Sequence, residues 1–176
     1  MEKSLGQKME DLYPFFAEIL EYPTRSVYEV FDDLICLLWH LDRESAGMLG
    51  NFDSLLAEVP LTGLEEIYTG TFDLQPACYP YVGHHLFGQE ARRGDFMAGL
   101  KKRYLALGFS AGRELPDNLA VILRFLGRCP EIEEKDELIR ECLVPALDRM
   151  ISGFQEGSNP YRGVLRALRR VLDFRL

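Results

Sequence analysis

The chain has 176 residues, 47% of them hydrophobic, and a formal net charge of −8 at pH 7. That length suits one domain spanning 1–176 with a sizeable core, and that apolar fraction excludes global disorder. The negative charge argues against nucleic acid as the main partner, because a duplex binder needs a positive field to release counterions; a basic partner is attracted instead.

The four cysteines, Cys36, Cys78, Cys129 and Cys142, are scattered and form no C-x-x-C pair. This spacing fits neither a disulfide scaffold nor a zinc module and reads as reduced thiols. Met1 to Asp11 is polar, without the apolar core of a signal peptide, and no apolar run is long enough to span a membrane. A soluble, cytoplasmic protein with no stable membrane insertion is the expectation.

In chain order, residues 1–8 are expected to fray. Met9, Leu12, Tyr13, Phe16, Ile19 and Leu20 follow the helical period. Pro14 sits in the first turn of this helix or kinks it, and Tyr22-Pro23 ends it. Ser26-Val-Tyr-Glu29 has the form of a capping box. Val27, Val30, Phe31, Leu34, Leu38 and Leu41 make the face behind it, with Trp39 at the edge. A weaker helix carries Met48, Leu49, Phe52, Leu55, Leu56 and Val59 and stops at Pro60. Thr62-Gly-Leu-Glu65 reads as a second capping box opening a helix through Ile67, Tyr68 and Phe72.

Phe96, Met97, Leu100, Tyr104 and Leu107 form the next face, closed by Gly108. Asp117 is placed to cap the helix of Leu119, Ile122, Leu123 and Leu126. An acidic start, Glu131 to Glu137, suits a helix N-terminus, and Pro145 is expected to kink that helix. Asn159-Pro160 caps the last helix. Its arginines 162, 166, 169, 170 and 175 read as a solvated face, or as contacts to acidic surface of the same chain. No segment alternates with period two. The fold is therefore expected to be all-α, a bundle of about eight or nine helices, with loops at 73–80, 108–116 and 155–159.

The stretch from Tyr68 to Gly94 is unlike its flanks. It gathers Tyr68, Phe72, Tyr79 and Tyr81 around a turn made by Pro76 and Pro80, together with His84 and His85. Tyrosines join apolar area to a polar tip and suit wet-rimmed interfaces; Asp73, Glu114 and Asp117 add negative charge. The plainer readings are core packing for Phe72, a cap for Asp117, and a solvated face or internal ion pair for Arg92 and Arg93. Cys78 with His84 or His85 would make a nucleophile and base, against the plainer reading of a packed thiol and half-buried rings. Neighbouring histidines on a helix point about 100° apart and do not easily share one ion. No phosphate loop, nucleophile elbow or H-E-x-x-H helix is present, so neither an enzyme nor a metal site is expected.

The segments YTGTFDL, PYVGHHLFG, RRGDFMAGLKKRY and ELPDNLAVILRFL, with ILEYPT upstream, resemble the NarJ type of redox-enzyme maturation chaperones, the nitrate reductase delta-subunit-like members of the TorD/DmsD family. The resemblance is strong over about positions 64 to 127. It implies a TorD/DmsD-like helical fold and no catalysis or cofactor. It also implies a chaperone that binds the N-terminal segment or twin-arginine signal peptide of a molybdenum enzyme's catalytic subunit until molybdopterin cofactor is inserted. The positions it carries over are Tyr68, Phe72, Asp73, Tyr79, Tyr81, His85, Arg93, Glu114, Leu115, Pro116 and Asp117. The alternative is a small-ligand protein of the same pathway, holding guanine nucleotide or molybdopterin through Arg92/Arg93 and His84/His85. A monomer and a dimer swapped through a loop such as 108–116 are both compatible with the sequence.

Overall fold

The computed structural model describes residues 4–75, 78–154 and 159–174. Among them the chain folds into twelve α segments and two π turns. They are α1 (Leu5–Glu10), α2 (Tyr13–Ile19), α3 (Ser26–Leu41), α4 (Arg43–Met48), α5 (Gly50–Glu58), α6 (Leu61–Tyr68), α7 (Val82–Phe87), α8 (Ala91–Ala106), α9 (Leu119–Leu126), α10 (Ile132–Leu138), α11 (Val144–Gly153) and α12 (Pro160–Asp173). One π turn, Thr69–Asp73, continues α6; the other, Ile139–Leu143, joins α10 to α11. Because several segments run on from one another, the separate rods are fewer than the segments. The expected all-α architecture is what is seen. The expected turn residue Pro76, the loop at 155–158 and Arg175 lie outside the described residues.

The hub is α9. Its sequence, LAVILRFL, is apolar on every side but one, so it can only be stable inside. All its residues are buried except Arg124, and it packs against α2. Arg124 escapes to Glu21, donating from its second terminal nitrogen at 2.7 Å. α12 is amphipathic: Val164, Leu165, Leu168, Val171 and Leu172 are buried, and the helix lies against α4, α5 and α11. Gly163 lets it approach α4, since a Cβ built there would overlap the Met48 carbonyl oxygen.

Several local expectations are corrected. α1 forms inside the stretch expected to fray, because Ser4 and Gln7 make a reciprocal capping box. The Ser26 box does not form; the Ser26 hydroxyl instead donates to Glu18 at 2.5 Å. The Thr62 box is also absent, since α6 starts two residues earlier, at Leu61 with Pro60 in the cap position. The weak third helix begins sooner than its apolar period, at Arg43, because Asp42 accepts from the Ser45 amide at 3.1 Å. Asn118, not Asp117, caps α9, accepting from Ala120 and Val121. Pro145 lies in the first turn of α11, directly after the second π turn, inside the helical run from α10 to α11. Pro14 in the first turn of α2, Gly108 with φ +61° and the Asn159 cap stand as expected.

The arginines of α12 are not a purely solvated face. Arg169 pairs with Asp148 and Asp173, and Arg170 with Asp42 at 2.6 Å and Glu44 at 2.9 Å. The Arg170 hydrogen bond, helped by Ser45 and opposed by burial, holds the Asp42 carboxyl down at about 2 against 3.8 ordinarily. A depressed folded-state pKa gives stability that is present above the unfolded value and lost as pH falls through the folded one. Denaturation midpoints measured as pH falls from 3.8 towards about 2 should therefore show a loss, and Asp42→Asn should reduce it.

Candidate functional site

Two connections build the site. α6 presents Tyr68, and the π turn behind it admits one extra residue per turn, which brings Asp73 to the rim of a cleft. Opposite, residues 80–82 run antiparallel to 117–119. The Val82 amide donates to the Asp117 carbonyl at 2.8 Å, the Leu119 amide to the Pro80 carbonyl at 2.7 Å, and Tyr81 and Asn118 form the bridge between them. These two walls and the end of α2 enclose a cavity of about 370 Å³. Tyr22, Tyr68, Tyr81 and Pro80 give its apolar surface; Glu21, Asp73, Glu114 and Asn118 give its polar rim. Tyr22 also borders a shallower cavity of about 480 Å³ with Glu65, Glu66, Thr69, Gly70 and Leu74.

The aromatic wall is fixed from behind. The Tyr68 hydroxyl donates to the Leu20 carbonyl at 3.3 Å, and its ring meets Tyr22 edge-on at 5.6 Å between centroids. Arg93 lies over the inner side of Tyr81, 5.5 Å from the ring centre, and donates to the Asp117 carboxylate at 2.8 Å. Asp117 is fully buried. α7 can lie over this pair because residue 83 is glycine: a Cβ there would stand 2.6 Å from an Asp117 oxygen. The Tyr104 hydroxyl donates to the Pro116 carbonyl at 2.7 Å and holds the loop from beneath. Asn118 does three things at once. Its amide oxygen caps α9, its amide nitrogen donates to Glu114 at 3.3 Å, and its backbone bridges Tyr81.

The cleft has a negative field. Burial raises the Tyr68 phenol pKa, and the charges of Asp73, Glu114 and Glu21 add to the rise. Tyr81 is raised by burial and then by Glu114, Asp117 and Asp73, with Arg93 opposing. Both phenols are neutral near pH 7 and offer an apolar ring with a polar tip. Among the described residues no lining residue of the cleft is cationic, and Arg124, behind Glu21, pairs with that carboxylate. The arrangement can take a cation with an apolar neighbour. It holds no activated nucleophile: burial pushes the Cys78 thiol up, away from the thiolate form. Among the described residues no group of His, Cys, Asp and Glu has the spacing to hold a metal ion.

The sequence-derived positions separate into three groups. Tyr68, Asp73, Tyr81 and Glu114 meet in the cleft. Arg93, Pro116 and Asp117 support it from behind, and Phe72 is core, packed at 5.0 Å on Tyr68 and 4.9 Å on Tyr161. Tyr79, His85 and Leu115 stand apart from its lining. His85 shares a hydrogen bond of 2.7 Å with the Tyr79 carbonyl, and burial lowers its pKa. Leu115 is exposed. The helix-cap reading of Asp117 gives way to the internal ion pair considered for Arg93. Sequence reasoning missed Glu21, Tyr22 and Asn118 as cleft residues. Tyr22 had a signal, being part of the ILEYPT segment, but it was spent on the helix stop.

Residues 40–166 match the family described as the nitrate reductase delta subunit. The chain is 28% identical over 130 residues to NarW of Escherichia coli K12, described as a probable nitrate reductase molybdenum cofactor assembly chaperone, covering 73% of this chain and 54% of that protein. It is 26% identical over 149 residues to the nitrate reductase molybdenum cofactor assembly chaperone NarJ of the same organism, covering 82% and 62%. The chain thus spans only 54–62% of the length of these curated relatives. A crystal structure of an Archaeoglobus fulgidus protein assigned to redox enzyme maturation shares the fold, with a TM-score of 0.63 over 98% of this chain and 96% of that one, at 21% identity. Among the described residues no helix is long and apolar enough to cross a membrane. With the match extending over residues 40–166 of 176 and the helical fold in agreement, the chain belongs to the nitrate reductase delta subunit family.

Proposed function

We propose that this chain is a maturation chaperone without catalytic activity of its own. It binds the N-terminal segment or twin-arginine signal peptide of a molybdopterin oxidoreductase catalytic subunit in the cytoplasm and holds it for insertion of the molybdenum cofactor. The observation that carries this reading is the meeting of Tyr68, Tyr81, Asp73 and Glu114 in one cleft that, among the described residues, no cation lines. A basic, partly apolar peptide complements such a surface in charge and in shape. The names of the relatives support the coarser part of this reading, a chaperone of molybdenum cofactor assembly. The alternative, a phosphate-bearing ligand, has little support: Arg92 is engaged with Glu90 and Arg93 with Asp117.

The test is a calorimetric titration with the N-terminal peptide of the molybdoenzyme catalytic subunit encoded in the same genome. Micromolar binding, about 8 kcal/mol, is expected. Tyr81→Ala should weaken it at least about tenfold, as loss of a desolvated aromatic anchor does. Glu114→Lys should weaken it most at low salt, where the charge term is least screened. Both variants should retain the native circular dichroism spectrum. A flat titration at high micromolar peptide and low salt would sink this reading.

A further inference from the structure

The first π turn is a wall shared by both cavities. Its last residue, Asp73, lines the tyrosine cleft, while Thr69, Gly70 and the following Leu74 line the cavity beyond Tyr22. The turn is defined by a wide hydrogen bond from the Leu74 amide to the Thr69 carbonyl, at 3.2 Å. If this stretch closed to ordinary α geometry, each residue after it would rotate by about 100° around the axis. Asp73 and Leu74 would then leave their places on the rim.

The turn is contacted from the start of another helix. Thr71 is buried, and its hydroxyl donates to the Ile67 carbonyl at 2.7 Å. The same oxygen accepts from the side-chain amide of Asn159 at 2.8 Å. Asn159 is itself immobilised, because its amide oxygen caps α12 by accepting from Tyr161 at 3.0 Å. Tyr161 in turn packs on Phe72, the next residue of the turn. The N-terminal end of α12, its cap Asn159 and Tyr161 in its first turn, therefore contacts the π turn at two successive residues, one by a hydrogen bond and one by ring contact.

We propose that Thr71 and Asn159 are positioning residues for the candidate site. Their buried hydrogen bond keeps the π turn open and so presents Asp73 to the cleft, without either residue lining it. The inference rests on the reading of the cleft as the peptide site. It adds that the cleft's acidity depends on a contact made 88 residues away in sequence.

The test uses the full chain in three variants. Thr71→Val removes the hydroxyl at constant shape. Asn159→Ser keeps a helix cap but is too short to reach Thr71. Thr71→Ser restores the hydroxyl and serves as the rescue. Amide hydrogen exchange is read at Leu74, and peptide affinity by the titration above. Loss of one buried hydrogen bond should speed exchange at Leu74 by about tenfold and weaken the peptide by a similar factor in the first two variants. The third should behave as the natural chain, and exchange within α9 should be the same in all. Unchanged exchange at Leu74 would overturn the proposal whatever the peptide does. Faster exchange with unchanged affinity would equally overturn it, since the turn would then position nothing. Failure of the natural chain to bind the peptide would bring down the functional reading first, and this inference with it.

Discussion

Gly163→Ala should lower the stability of the fold by about 3 kcal/mol, the upper range for forcing atoms into a packed interior. The Cβ of alanine would overlap the Met48 carbonyl oxygen and lie 3.4 Å from its carbonyl carbon. Both obstacles are backbone, so no side chain can swing aside. The helices α12 and α4 would have to separate, and with them the Arg170 contacts to Asp42 and Glu44. For a chain of this length such a loss corresponds to a drop in melting temperature of roughly 6–12 °C. Gly99→Ala is the control. An added Cβ there meets nothing within 4 Å, and the gain in helix propensity within α8 should leave the protein as stable or slightly more so. Thermal unfolding of the two variants side by side checks the pair. Equal melting points would mean that α12 and α4 are not in the contact described.

Asp117→Ala is expected to cost about 3–5 kcal/mol, the penalty for removing one partner of a buried ion pair. The Asp117 side chain has no exposure and that of Arg93 only 19%, so water cannot take over the lost contact. The resemblance assigns Asp117 to peptide binding. Its burial predicts instead that a loss of binding in this variant follows from a loosened cleft. A double-mutant cycle with Arg93→Met separates the possibilities, because replacing both partners removes the orphaned charge. The double variant should be more stable than Asp117→Ala alone. Were Asp117→Ala to melt with the natural chain while losing peptide, Asp117 would have to be reached by the peptide directly.

The helices were legible because burial imposes a period. The apolar faces of α2, α3 and α12 could be read off directly, as could that of α9 from Leu119, Ile122, Leu123 and Leu126. Caps were less legible, because a capping side chain has competitors. The Ser26 motif is intact in sequence, yet Glu18, eight residues earlier, takes the hydroxyl. The π turns were hidden for another reason: Tyr68 and Phe72 keep a spacing that an ordinary helix also satisfies. At the site, the clustering of Tyr68, Asp73, Tyr81 and Glu114 was anticipated through motifs, whereas the third wall was not. Glu21 reaches its place through Arg124, 103 residues away, and no local pattern encodes that pairing.

The bridge between Tyr81 and Asn118 has a topological consequence. The chain leaves this point as α7, runs through α8, and returns to the same point, so residues 82–117 form a closed excursion pinned at both ends. Closure entropy rises only slowly with the length of such a detour. The connection at 88–90 can therefore lengthen while the two extended segments at its root keep their register. It is the natural place to carry a reporter tag, or for a lineage to elaborate the molecule without disturbing the neighbourhood of Tyr81.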